Sequence, residues 1–248
     1  MRIFTNFRDA VGEVRRDLKE MGIRVHPETM QDKHVADDPQ YETLELQFYS
    51  FSVTAPVPKD LSPTQPWADA EFAERISDRN LNPGDAWKLR RDVWAEFLEG
   101  RERNAGHFAY TYSERLSRRQ AQWRLGRSGG ADEFQGVSTQ LEQLVANIRT
   151  YPHNRNHLLS IWDRTDLWRV GEHRVPCSIF YHFLLRDGEL MMHYVSRSCD
   201  IMTHMENDLY LAARLQALVA EQTQNQVGRF VATFDSLHSY AKDLTGTF

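Results

Sequence analysis

A chain of 248 residues, 41% hydrophobic and 26% charged, has the length and composition of one large domain with a sizeable core. It holds no apolar run of about 18 residues, no leader-like apolar stretch behind its N-terminus, and no Lys/Arg block within its net charge of −5. These features argue against a membrane, export and polymeric nucleic acid. The expectation is a single cytoplasmic domain spanning 1–248. Its cysteines, Cys177 and Cys199, are expected as free thiols rather than a bridge. No zinc-ligand spacing, phosphate-cradling glycine loop or internal repeat occurs, so no metal is expected.

In chain order, Phe7, Ala10, Val11, Val14, Leu18 and Met21 recur at helical spacing, which predicts a helix over 6–22 closed by Gly22. Residues 26–41 are polar and read as loop. Glu42 to Ala55 reads as a strand through Leu44, Leu46, Phe48, Phe51 and Val53. The proline-rich stretch 56–66 is a connector. Helices are expected over 67–76 and 83–99, the second with Pro83 in its first turn. A loop at 103–106, an extended aromatic segment at 107–112, a helix at 113–123 and a glycine tip at 128–130 follow. The spacing of Leu141, Leu144, Val145 and Ile148 predicts a helix over 135–149, ended by Tyr151-Pro152. His157 to Trp162 reads as a short strand. A helix over 204–224 and a strand over 229–235, punctuated by Gly228, complete an α+β pattern of sheet and packed helices.

Between these lie two apolar runs, Ile179–Leu185 and Leu190–Val195, joined by Asp187-Gly188, the signature of a tight hairpin. Pro176-Cys177 opens the first strand and Arg197-Ser198-Cys199-Asp200 ends the second. A thiol and a guanidinium at one end of a hairpin suggest a nucleophile beside an anion site; the plainer alternative is a buried cysteine and a surface arginine.

This pattern resembles the thymidylate synthase superfamily, which includes the pyrimidine-nucleotide hydroxymethylases. The shared features are Pro-Cys at a strand start, an Asp-Gly hairpin and Arg-Ser-x-Asp. After the last Asp, the base-reading Asn or Asp follows by eight residues and His-x-Tyr by a further thirty. Here Asp208 follows Asp200 by eight residues, and His238-Ser239-Tyr240 begins thirty after Asp208. The likeness is clear from about Trp94 to Tyr240 and weak before. It implies a mixed β-sheet with flanking helices, paired back to back as a homodimer, and one-carbon transfer from 5,10-methylenetetrahydrofolate to C5 of a pyrimidine nucleoside monophosphate.

The resemblance implies a role for each matched residue. Cys177 attacks C6 of the pyrimidine, which turns C5 into a carbon nucleophile. Arg197 and Ser198, with Asp200 in the same motif, bind the nucleotide; a guanidinium fork suits a phosphate. Arg155 is the arginine donated across the dimer to the partner's phosphate, and Arg24 is a further phosphate ligand. His238 and Tyr240, on one face of a strand, hold the sugar hydroxyl. Trp94 and Tyr110 line the folate side, and His182, where the family has Gln, is placed with them. Glu71, or Glu74 one turn on, is the acid/base carboxylate. Core packing for the aromatics and solvated faces for Arg155 and the glutamates stay open alternatives.

Asp208 sets the expected substrate. A carboxyl group accepts from the cytosine amino group and, when protonated, donates to N3. Uracil readers in the family carry Asn, and a one-residue shift would bring in Asn207 instead. The reading is therefore dCMP, favoured over CMP because Ser198 crowds the sugar. Ser178 and His182 depart from the synthases, and few residues follow Tyr240. A site left open to water would hydrate the C5 methylene, which gives a 5-hydroxymethyltransferase. The alternatives are a C5-methyltransferase on dCMP or dUMP, and a nucleotide-binding relative without turnover.

Overall fold

The computed structural model describes residues 1–31, 33–99, 106–117, 120–124, 133–169 and 173–243. The loop expected from Arg103, apart from Gly106, and the tip at 128–130 lie outside them.

The N-terminal third builds half of a sheet and its first helix. Strand β1 (Arg2–Phe4) leads into helix α1 (Phe7–Met21), whose start is fixed by Asn6 accepting from the Asp9 N–H at 2.9 Å. The apolar stripe of α1 is buried, and the Gly22 N–H closes its end on the Leu18 carbonyl. Strand β2 (Ile23–Val25) follows, then the two-residue strands β3 (Thr29–Met30) and β4 (Lys33–His34) inside the stretch read as loop. Such short pairs carry too little apolar periodicity to be seen in a sequence. Strand β5 (Thr43–Val53) matches its expectation.

Helix α2 (Trp67–Ile76) also forms as expected, but the helix expected at 83–99 breaks into single turns. A 3-10 turn covers Ala86–Arg90, helix α3 only Arg91–Trp94, and another 3-10 turn Ala95–Phe97. The cause is a tertiary anchor. The Glu74 carboxylate accepts from the N–H groups of Asp85 and Ala86 at 2.6 and 2.9 Å. Gly84 must sit against that carboxylate with φ +70, where any Cβ would clash. Helix α4 (Tyr112–Ser117) is short, and residues 120–124 form strand β6 paired with β7 (Glu133–Ser138) where helix was expected. Helix α5 (Gln140–Thr150) therefore starts later than its periodicity suggests. Thr139 accepts from the Glu142 N–H and Glu142 accepts from the Thr139 N–H, a reciprocal cap that sets the boundary.

Strand β8 (His157–Ser160) precedes the cysteine hairpin, β9 (Ser178–Arg186) and β10 (Glu189–Asp200). Asp187 and Gly188 take φ of 51° and 79°, the positive values a two-residue hairpin turn needs. Helix α6 (Met205–Gln222) then crosses over to β11 (Gln226–Tyr240), which runs parallel to β10. The main sheet has the order β1-β5-β11-β10-β9-β8, with β2 also on β5. Helix α1 packs on β5 and α6 on β10 and β11. Tyr181, Phe183, Tyr194, Phe230 and Phe234 fill the covered face. The opposite face carries Phe180, Leu184, Met191 and Val231, all half-buried, and Leu158, which is exposed.

Candidate active site

The register of the sheet assembles the site. The bulge after Val195 pairs Ser196 with Ser178, so Cys177, just before β9, lies beside Arg197 on β10. The Arg197 N–H and the Ser196 hydroxyl both donate to the Cys177 carbonyl, at 2.9 and 3.0 Å. The Arg197 guanidinium folds over the same segment. Its Nε donates to the Pro176 carbonyl at 2.9 Å and its Nη2 to the Val175 carbonyl at 3.2 Å. The Ser178 hydroxyl is held between those of Tyr112 and Tyr194, at 3.1 and 2.9 Å. The thiol is thus set in a rigid collar at the sheet's end.

A cavity of about 600 Å³ opens over this collar. Cys177, Arg197, Ser198, Asp200, Asp208, His238, Tyr240, Trp94, Tyr110, Glu71 and Glu74 all line it. Parallel pairing of β10 and β11 puts His238 next to Asp200, and the His238 and Tyr240 rings meet edge to face at 5.4 Å. Asp200 also organises the turn into α6: it accepts from the Met202 N–H at 2.9 Å and from the Thr203 hydroxyl.

Three expected residues do not line the cavity. Arg24 is exposed and paired with Glu42 at 2.8 Å. His182 sits on the outer face of the sheet, bonded to the Arg155 carbonyl at 2.8 Å, and Arg155 is exposed beside it. The two cysteines are unbridged.

Asn207 and Asp208 differ in what engages them. Asn207 is buried and tied into the chain: its Oδ1 accepts from the Thr64 N–H at 2.7 Å, and its Nδ2 donates to the Thr203 carbonyl at 3.0 Å. Asp208, in the first turn of α6, is the one that faces the cavity. Burial raises its pKa above the usual carboxylate range, opposed by His204 and Arg75. The Cys199 thiol lies 3.7 Å from its Oδ2.

The two glutamates differ in what holds them. Glu74 is anchored to the Asp85 and Ala86 N–H groups as described. Glu71 pairs with the buried Arg75 at 2.8 Å, and the Arg75 guanidinium lies 3.7 Å over the Tyr112 ring. Burial raises the Cys177 pKa, while Arg197, Arg174 and the Gln31 amide pull it down. Burial lowers the pKa of His204 and of His238, so both favour the neutral imidazole. Tyr110 is pushed up to about 12 by burial.

The cavity also holds residues that sequence reading did not single out: Gln31, Trp67, Arg75, Trp87, Arg90, Tyr112, Arg174 and His204. Gln31 apart, their only signal in the chain is being aromatic or ionisable. Trp67 stacks on Trp94 at 6.0 Å, and Trp94 meets Phe97 at 6.3 Å. This aromatic lobe carries buried donors with no partner among the described residues: the indole N–H groups of Trp67, Trp87 and Trp94, and guanidinium N–H groups of Arg90 and Arg174. Donors among stacked rings fit a flat heterocycle rich in acceptors, the chemistry of a folate ring system. No group of three or more His, Cys, Asp or Glu side chains among the described residues is placed to hold a metal, and no described helix is long and apolar enough to cross a membrane.

The fold is similar to that of the thermostable thymidylate synthase A from Bacillus subtilis, with a TM-score of 0.67 at 16% identity over 95% of this chain and 80% of that one. Residues 79–247 match the thymidylate synthase family. With that match over more than half of its length, the chain belongs to the thymidylate synthase family, the folate-dependent enzymes that transfer a one-carbon unit from methylenetetrahydrofolate to C5 of a pyrimidine nucleoside monophosphate.

Proposed function

We propose that the chain is a deoxycytidylate 5-hydroxymethyltransferase. The observation that carries this reading is the Asp208 carboxyl group at the cavity wall, with its pKa raised by burial. Burial favours the protonated carboxylic acid, and that form presents one donor and one acceptor, the complement of cytosine N3 and its amino group. An ordinary ionised carboxylate would present acceptors alone.

The remaining residues take consistent roles. Arg197 and Ser198, at the rim beside the thiol, receive the phosphate. His238 and Tyr240 hold the sugar hydroxyl, and Ser198 leaves little room for a 2′-hydroxyl, which favours dCMP over CMP. The Cys177 thiolate adds to C6, and C5 then bonds to the one-carbon unit that methylenetetrahydrofolate supplies. Loss of the C5 proton, assisted by Glu71, releases tetrahydrofolate and leaves an exocyclic methylene. Water adds to that methylene and Cys177 departs, which leaves the 5-hydroxymethyl product. Hydration is favoured by the polar groups around the thiol: Glu71, Arg174, His204 and Asp208 can order a water. Trp94 and Tyr110 would flank the folate ring.

A homodimer completes the reading. Arg155 is exposed and does not line its own chain's cavity, and its carbonyl is bonded to His182 on the sheet face that bears Phe180, Leu184, Met191 and Val231. Two such faces packed together would bury that surface and bring Arg155 to the partner's phosphate.

The test is incubation with C5-tritiated dCMP and methylenetetrahydrofolate. Tritium release without dihydrofolate is expected, since dihydrofolate forms only when a methyl group is made. Stoichiometric dihydrofolate would mean a methyltransferase. Cys177→Ala should bind dCMP but release no tritium; retained release in that variant would rule out the covalent route.

A further inference from the structure

Arg174 lies three residues before Cys177, and in the scheme above it does no more than help to order a water. It is 8% exposed, and its guanidinium carbon stands 4.5 Å from the Phe97 ring centre, 5.0 Å from Trp94, 5.5 Å from Tyr110 and 6.0 Å from Phe108. Aromatic faces stabilise a cation, but they leave its N–H donors unanswered. No carboxylate pairs with it among the described residues, and its Nε is buried without an acceptor. A buried guanidinium N–H without an acceptor is costly, so the geometry calls for an occupant that supplies one.

Which end of which ligand it meets follows from its place in the cavity. In the reading above the phosphate and sugar of the nucleotide are held by Arg197, Ser198, His238 and Tyr240, and none of these contacts calls on Arg174. Arg174 is set among the rings of the aromatic lobe, whose other unpartnered groups, the Trp94 and Trp67 indoles, are also donors. Charged tail carboxylates of a folate belong near solvent, whereas Arg174 is more than nine-tenths buried.

Resting on the proposed folate-dependent reaction, we infer that Arg174 is a binding residue for the one-carbon donor, its guanidinium donating to the acceptor edge of the reduced pterin ring and so fixing that ring against the Cys177 face. The test measures equilibrium binding of dihydrofolate and of dihydropteroate, which lacks the glutamate tail, at saturating dCMP. Arg174→Leu keeps the cage filled and should weaken both ligands by about tenfold or more, the scale of a hydrogen bond to a charged group. Its affinity for dCMP alone should change by less than about twofold, on the scale of a residue that does not touch the nucleotide. Loss confined to dihydrofolate would place the tail carboxylate on Arg174 and overturn the ring assignment, and no loss for either ligand would overturn the inference altogether. Should Arg174→Leu fail to fold by circular dichroism, Arg174→Lys carries the comparison. It keeps the cation but not the planar fork, and unchanged affinity for both ligands there would equally refute the inference. A wild type that binds neither pterin in the presence of dCMP would instead sink the folate-dependent reading on which this rests.

Discussion

At the scale of single residues, Asp208 concentrates the consequences. Its carboxyl is held in the cavity wall with its pKa raised by burial, next to the Cys199 thiol and one residue from an Asn that is fully engaged elsewhere. Asp208→Asn replaces an acid by an amide of the same shape. The dCMP to dUMP ratio of kcat/KM should fall by about tenfold or more, because hydrogen bonds at a buried reading site are worth roughly 1–3 kcal/mol. The same substitution tests the raised pKa through stability. Below the unfolded carboxylate value of about 3.9 the group is protonated in both states and contributes nothing. As pH rises between the unfolded and the higher folded value, the unfolded state loses its proton first and stability is lost. Above that window the cost set by the difference in proton affinity between the two states remains. Asp208→Asn should therefore raise Tm at pH 7 and leave it unchanged at pH 3. An equal shift at both pH values would mean that charge is not the cause.

Elements in this protein begin and end where side chains anchor backbone, not where apolar periodicity stops. The cap at the start of α5 is local: Thr139 and Glu142 satisfy each other's N–H groups. Thr139→Ala should cost about 1 kcal/mol and lower Tm by about 2–4 °C, measured by thermal denaturation. The broken helix at 86–97 is different in kind. Its turns follow from Glu74, a residue of α2, reaching the Asp85 and Ala86 N–H groups. No pattern within 83–99 records that partner. The consequence reaches the cavity: the turns project Trp87, Trp94 and Phe97 into its wall.

For the whole molecule, the uncovered sheet face and the position of Arg155 make one joint prediction. If Arg155 serves the partner's site, Arg155→Ala and Cys177→Ala are each inactive or nearly so as homodimers, yet complement each other. Subunit exchange gives half heterodimers, each with one intact site of two, so about a quarter of wild-type tritium release should return. Mixed samples no more active than the separate ones would show that the site is built within one chain. Leu184→Glu, on the same face, should shift the assembly toward monomer in light scattering and lower activity with it, since a charge buried at an apolar interface is costly.

The chain alone determined its α+β class, the hairpin and the motif residues that line the cavity. These depend on local chemistry: Asp187-Gly188 admits the positive φ of a tight turn, and alternation puts His238 and Tyr240 on one face. Spacing also favoured Asp208 over Asn207, but it held no record of the Thr64 and Thr203 contacts that engage Asn207. Tertiary structure decided what depends on distant partners. It set the short strands at 29–34, the strands at 120–124 and 133–138, and the turns at 86–97. It left Arg24 on Glu42 and His182 on the outer face. It brought Arg174 from the hairpin's threshold among Trp94, Phe97, Phe108 and Tyr110, residues at least 64 positions away in the sequence. A cation's neighbours across such separations are fixed by sheet register and packing, and those are properties of the folded chain as a whole.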